Sequence, residues 1–82
     1  MDDHGGAEQH FAEALETARR GRMAFAESEV HLAWGRTLLR EGDPSEIARA
    51  GTLLSEALRM AKAGGYGGIE RSCVEALGAI TG

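Results

Sequence analysis

Apolar side chains return every three or four residues along most of the chain, and no stretch alternates apolar with polar residues as a half-buried strand would. A period near 3.6 gathers them on one helical face, so the chain reads as all-α with four helices. The first, over 7–20, carries Ala7, Phe11, Ala14 and Ala18 in one stripe with Leu15 beside it. The second, over 23–41, has one stripe through Ala26, Val30, Trp34 and Leu38 and another through Phe25, Leu32 and Leu39, so it meets neighbours on two sides. The third, over 45–63, aligns Ile47, Ala50, Leu54, Leu58 and Ala61; the fourth, over 69–80, aligns Ile69, Cys73, Leu77 and Ile80. Residues 1–6 precede the first stripe and are expected to form a disordered tail, with one domain over 7–82.

Punctuation agrees with the periodicity. Gly21 ends the first helix, Gly42 supplies a left-handed C-cap to the second, and the glycines from Gly64 to Gly68 stop the third. Asp43-Pro44-Ser45-Glu46 reads as a helix start: Asp43 caps, Pro44 takes the first helical position, and Glu46 falls where a capping box needs it. So short a turn folds helices two and three into an antiparallel hairpin, in which Trp34 and Leu38 are expected to meet Leu54 and Leu58.

The stripes also repeat. Phe11-Ala-Glu-Ala-Leu15, then Ala18-Arg19 and Gly21, returns 43 positions on as Leu54-Ser-Glu-Ala-Leu58, then Ala61-Lys62 and Gly64. The same offset sets Val30 on Cys73, His31 on Val74, Ala33 on Ala76 and Trp34-Gly35 on Leu77-Gly78. Units that cannot bury their own apolar faces stack on one another, which makes an array with extended surfaces instead of a closed cleft.

His31-x-x-Trp34-Gly35-x-x-Leu38-Leu39-x-x-Gly42-Asp43, followed by Ala50-x-x-x-Leu54-x-x-Ala57, resembles the tetratricopeptide repeat (TPR). Helices two and three match one repeat, Ala7-x-x-x-Phe11-x-x-Ala14 the second helix of a preceding one, and Val74-x-x-Leu77-Gly78 the first helix of a following one. The period of 43 exceeds the usual length of about 34, Leu38 stands where the family has an aromatic, and no proline follows Ala61. This lengthened form, with its Arg-Glu-Gly-Asp-Pro turn, is similar to helical regions of large actinobacterial transcriptional activators and cyclase-linked signalling ATPases. The resemblance implies a TPR-like α-α superhelix fragment that mediates protein contacts as the sensor or scaffold part of a signalling or transcription regulator.

Charge narrows the partners. Nine basic against thirteen acidic side chains give a net charge of −4, and the basic ones are scattered, so no footprint for nucleic acid is expected. No apolar run reaches the roughly 20 residues of a membrane span, and Met1-Asp2-Asp3-His4 is unlike a signal peptide. One cysteine, Cys73, makes no internal disulfide, and a cytoplasmic location is expected.

Candidate chemistry is sparse. The cluster Gly64-Gly65-Tyr66-Gly67-Gly68 follows a helix and lacks the Lys-Ser/Thr of a phosphate loop, so it reads as a hinge. His4, His10 and His31 lack the spacing of metal ligands, Cys73 aligns with Val30 as a small core residue, and Trp34 aligns with Leu77 as packing. Glu13, Glu16 and Glu56 read as solvated carboxylates, with no nucleophile and base beside them. No catalytic residue, cofactor or metal is assigned.

Two surfaces remain. In a TPR-like array the first helices line the binding face, which assigns Glu29, Leu32, Arg36, Leu39 and Arg40 to a strip for an acidic or amphipathic peptide. The paired Lys and Asn of carboxylate-clamp repeats are missing from those places. The alternative packs Leu32 and Leu39 on helix four or on missing repeats. Phe11 and Leu15, without a preceding helix, form a second candidate surface, for self-association as a homodimer. A small ligand-binding bundle built on the glycine loop and Cys73 ranks below both.

Overall fold

A computed structural model describes residues 3–81, with side chains placed for 8–80. It consists of α1 (Asp3–Arg20), α2 (Ala24–Glu41), α3 (Pro44–Gly64) and α4 (Gly67–Thr81). The all-α fold and the four helices therefore stand as expected from the periodicity. The tail does not: residues 3–6 are helical, while Met1 and Asp2 lie outside the described residues. The apolar stripe begins only at Ala7, but Gly5 and Gly6 do not stop the helix from extending past it, since each costs only about 1 kcal/mol relative to alanine, a local bias that a propagating helix overrides.

Asp43 is the N-cap of α3, its Oδ1 accepting from the Ser45 backbone N–H at 3.0 Å and from the Ser45 hydroxyl at 2.9 Å. Gly42 closes α2 in the left-handed conformation. The other two turns are built alike, 43 positions apart. Met23 N–H reaches the Ala18 carbonyl at 2.9 Å as Tyr66 N–H reaches that of Ala61 at 2.8 Å. Glu27 N–H reaches Met23 as Glu70 N–H reaches Tyr66. Both are Schellman closures, which need a left-handed residue just before the donor. Gly65 fills that place in one, whereas in the other Arg22 does, with φ 55°. Gly21 ends α1, but the strained position is one residue later. The second closure is so compact that the chain re-enters a helix at Gly67, two residues before the expected start at Ile69.

Each helix packs on the next, and α2 also packs on α4. Leu15 and Ala18 bury the α1 stripe against α2. Ala57, Ala61, Ile69 and Cys73 form a core between α3 and α4, on which Leu32, Leu58 and Tyr66 pack. Between α2 and α3 the backbones approach over Gly35: a β-carbon there would lie 2.7 Å from Leu54 Cγ and 3.3 Å from the Ala50 carbonyl oxygen. Leu54, 0% exposed, fills the space that the missing side chain leaves. Trp34 turns the other way, stacking on Phe11 with centroids 5.9 Å apart and lying under Arg49, which also pairs with Glu8. Its aromatic partner is thus in α1, because position 34 lies on the flank of α2 away from Leu54. The molecule is a slab of 35 × 31 × 15 Å, about two helix layers thick at the roughly 8–10 Å that separates packed helix axes.

Candidate functional site

The expected strip on α2 divides in two. Glu29, Arg36 and Arg40 are exposed, Leu39 is half-buried, and Leu32 packs against the core of α3 and α4. Leu32, half-buried like Leu39, turns part of its side chain onto that core. Arg36 lines a shallow groove with Ser72, Glu75 and Ala76 of α4, so that helix contributes a second wall.

An apolar anchor that the assignment left out lies at the other end. Phe25 is 48% exposed in the first turn of α2, with Tyr66 set edge-on to it at 5.0 Å. Phe25 falls in the same stripe as Leu32 and Leu39, which was the available signal. Tyr66 is the residue before α4, and the helix opens with Gly67 and Gly68, which carry no side chain to cover Phe25. From Phe25 to Arg40 the helix rises about 22 Å at 1.5 Å per residue. One face of α2 thus offers an aromatic pair, a carboxylate and two guanidinium groups in order, beside polar residues of α4.

Behind this face lies a buried polar group. His31 is 4% exposed, and among the described residues neither ring nitrogen makes a hydrogen bond. Burial pushes its pKa below the ordinary 6.5; Glu27, with an oxygen 3.9 Å from Nε2, and Glu56 oppose that shift, while Arg19 and Arg59 add to it. Glu27 is itself held by Arg19, whose Nε donates to it at 3.0 Å. Arg59 holds Glu56 by hydrogen bonding and keeps its carboxyl below the usual range. The imidazole is closed to any substrate, so the cluster serves packing between α1, α2 and α3. Ser28 beside it is fully buried and donates to the Phe25 carbonyl at 2.7 Å.

The remaining candidates lie in the core or in a tight turn between helices. Cys73 is buried, and burial raises its thiol pKa, the opposite of an activated nucleophile. Gly64 and Gly65 close α3, and Gly67 and Gly68 lie in the first turn of α4, leaving no free glycine loop. Among the described residues no three His, Cys, Asp or Glu side chains gather to hold a metal, and no helix is long and apolar enough to cross a membrane. The side chain of His4 lies outside the described residues.

Of the two residues expected at an open seam, Leu15 is covered and Phe11 keeps one side open. Leu15 is buried and Phe11 is half-covered by Trp34, because α1 turns that stripe onto α2. What stays open is a groove of about 330 Å³ between α1 and α2, lined by His10, Phe11, Ala14, Ala26, Glu29, Val30 and Ala33. No protein-family model, curated protein or solved structure matches the chain.

Proposed function

We propose that this chain is a TPR-like helical-repeat module that binds a protein segment along α2 and α4, serving as a cytoplasmic sensor or scaffold part of a bacterial signalling or transcription regulator. The observation that carries the reading is the exposed strip running from Phe25 to Arg40. A slab of stacked helices offers area and not enclosure, which suits a peptide and not a small substrate. Arg36 and Arg40 supply charge-assisted hydrogen bonds to carboxylates, and Phe25 with Tyr66 supplies an apolar anchor. An acidic amphipathic segment of about four helical turns matches that order along the roughly 22 Å of rise.

The test is selection from a displayed library of random peptides, followed by binding to Arg36→Glu/Arg40→Glu and to Phe25→Ala. Selected peptides are expected to be acidic with one large apolar residue. The double charge reversal is expected to abolish their binding, and Phe25→Ala to weaken it at least tenfold. Peptides that bind the charge-reversed protein equally well would refute the site.

A further inference from the structure

The 43-residue offset relates not only sequence positions but surfaces, one covered inside the chain and one open. Within the chain, the face of α2 that carries Ser28, His31 and Gly35 is buried, with Gly35 against Leu54 and Ala50 of α3. Their counterparts in α4 are Arg71, Val74 and Gly78, all exposed. Val74 is 53% exposed, and a β-carbon added at Gly78 would meet nothing within 4 Å, whereas Gly35 lies directly under Leu54. The receiving side has the same relation. Leu54, Ala57, Ile69 and Cys73, which α2 covers, correspond to Phe11, Ala14, Ala26 and Val30, which line the open groove between α1 and α2.

We infer that the groove between α1 and α2 receives α4 of a second copy of this chain, joining copies head to tail. In that seam Val74 takes the place that His31 holds inside the chain, and Gly78 lies against Phe11 as Gly35 lies against Leu54. Charge agrees with this occupant. Glu56 and Arg59, which act electrostatically on His31, correspond to Glu13 and Glu16, so the incoming Val74 is flanked by carboxylates. Arg71, one turn before Val74, brings a cation to Glu13 and to Glu16, which Arg20 also holds at 3.4 Å. The groove that Leu77 and Ile80 make with Gly51 and Ser55 of α3 lies open for α1 of the incoming copy, as Trp34 is covered by Arg49 of α3. Because the two surfaces differ, the contact is heterologous and adds copies end to end, unlike a two-fold pair through Phe11 and Leu15.

The inference rests on the repeat register and does not use Arg36 or Arg40, so it fails or survives apart from the peptide-binding reading. Its test is sedimentation of the wild type over a wide concentration range, then of two blocked variants. Val74→Glu blocks the α4 surface at an exposed position, and Ala14→Glu blocks the groove, with exposed Ala33→Glu standing in if Ala14→Glu loses helicity. The wild-type mass is expected to rise steadily with concentration past the dimer. Each variant alone is expected to stay monomeric, and an equimolar mixture of the two to form dimers and nothing larger, since one intact groove meets one intact α4. A wild type that is monomeric at its highest attainable concentration, a plateau at two copies, or an inert mixture would overturn it.

Discussion

Replacing Gly35 by alanine is expected to destabilise the fold, while the same change at its repeat counterpart Gly78 stabilises it. Both glycines lie inside helices, where alanine is favoured by about 1 kcal/mol. At Gly78 nothing opposes that gain. At Gly35 the new β-carbon arrives 2.7 Å from Leu54 Cγ and 2.9 Å from its Cδ2, with the Ala50 carbonyl at 3.3 Å behind. Cγ is a branch point, so the whole buried side chain and the helix carrying it must shift. Overpacking of this kind costs about 1–3 kcal/mol, which leaves Gly35→Ala destabilising by about 1 kcal/mol after the helix gain. Leu54→Ala alone should lose about 2–5 kcal/mol, since the residue is wholly buried. Combined with Leu54→Ala, Gly35→Ala should turn from a loss of about 1 to a gain of about 1 kcal/mol, a coupling near 2 kcal/mol. Urea unfolding followed by circular dichroism, on dilute protein, reads all four values. If Gly35→Ala stabilises as much as Gly78→Ala, the close approach of α2 and α3 is wrong.

Three further changes probe the turns and the buried histidine. Arg22→Gly should stabilise by about 0.5–1 kcal/mol, because Arg22 holds a left-handed conformation that costs a side chain more than glycine's extra freedom; a lower melting temperature would contradict the Schellman assignment. Asp43→Ala should lose about 0.5–2 kcal/mol at neutral pH, since it removes the acceptor for the Ser45 N–H; no change would remove Asp43 from that role. His31 has a folded pKa below 6.5, so the unfolded chain binds the proton first and stability falls as pH drops below that value. His31→Leu should therefore lose less stability than the wild type between about pH 7.5 and about pH 5.5. Equal losses would show that His31 is not held neutral.

The ends of the helices were legible where the signal is local chemistry. Asp43, Pro44 and Gly42 act through their own side chains or lack of one, so a cap and a break could be placed before any packing was known. Arg22 could not be found that way. Its left-handed backbone is imposed by the closure from Met23 to Ala18, and arginine has no intrinsic preference that announces it. The binding strip was half legible for a similar reason. Periodicity put Phe25, Leu32 and Leu39 on one stripe of α2, but burial along a stripe is decided by what the neighbouring helices place opposite it. Leu32 turns partly onto the core of α3 and α4, and Phe25 stays open. Trp34 was recognised as a packing residue, yet its stacking on Phe11 depends on the angle at which α1 returns across α2.

If the helices stack in units of 43 residues, the chain should accept one more unit. Residues 24–66 hold α2, α3 and the two turns that follow them, so a second copy of that segment placed after Tyr66 should present the same surfaces to α2 and to α4. In a stacked array stability and the denaturant dependence of unfolding both grow with each unit, the latter with the surface buried. The lengthened chain should therefore keep the helicity per residue of the original and unfold at higher urea with a steeper dependence. Lower helicity per residue, or unfolding at lower urea, would contradict the account.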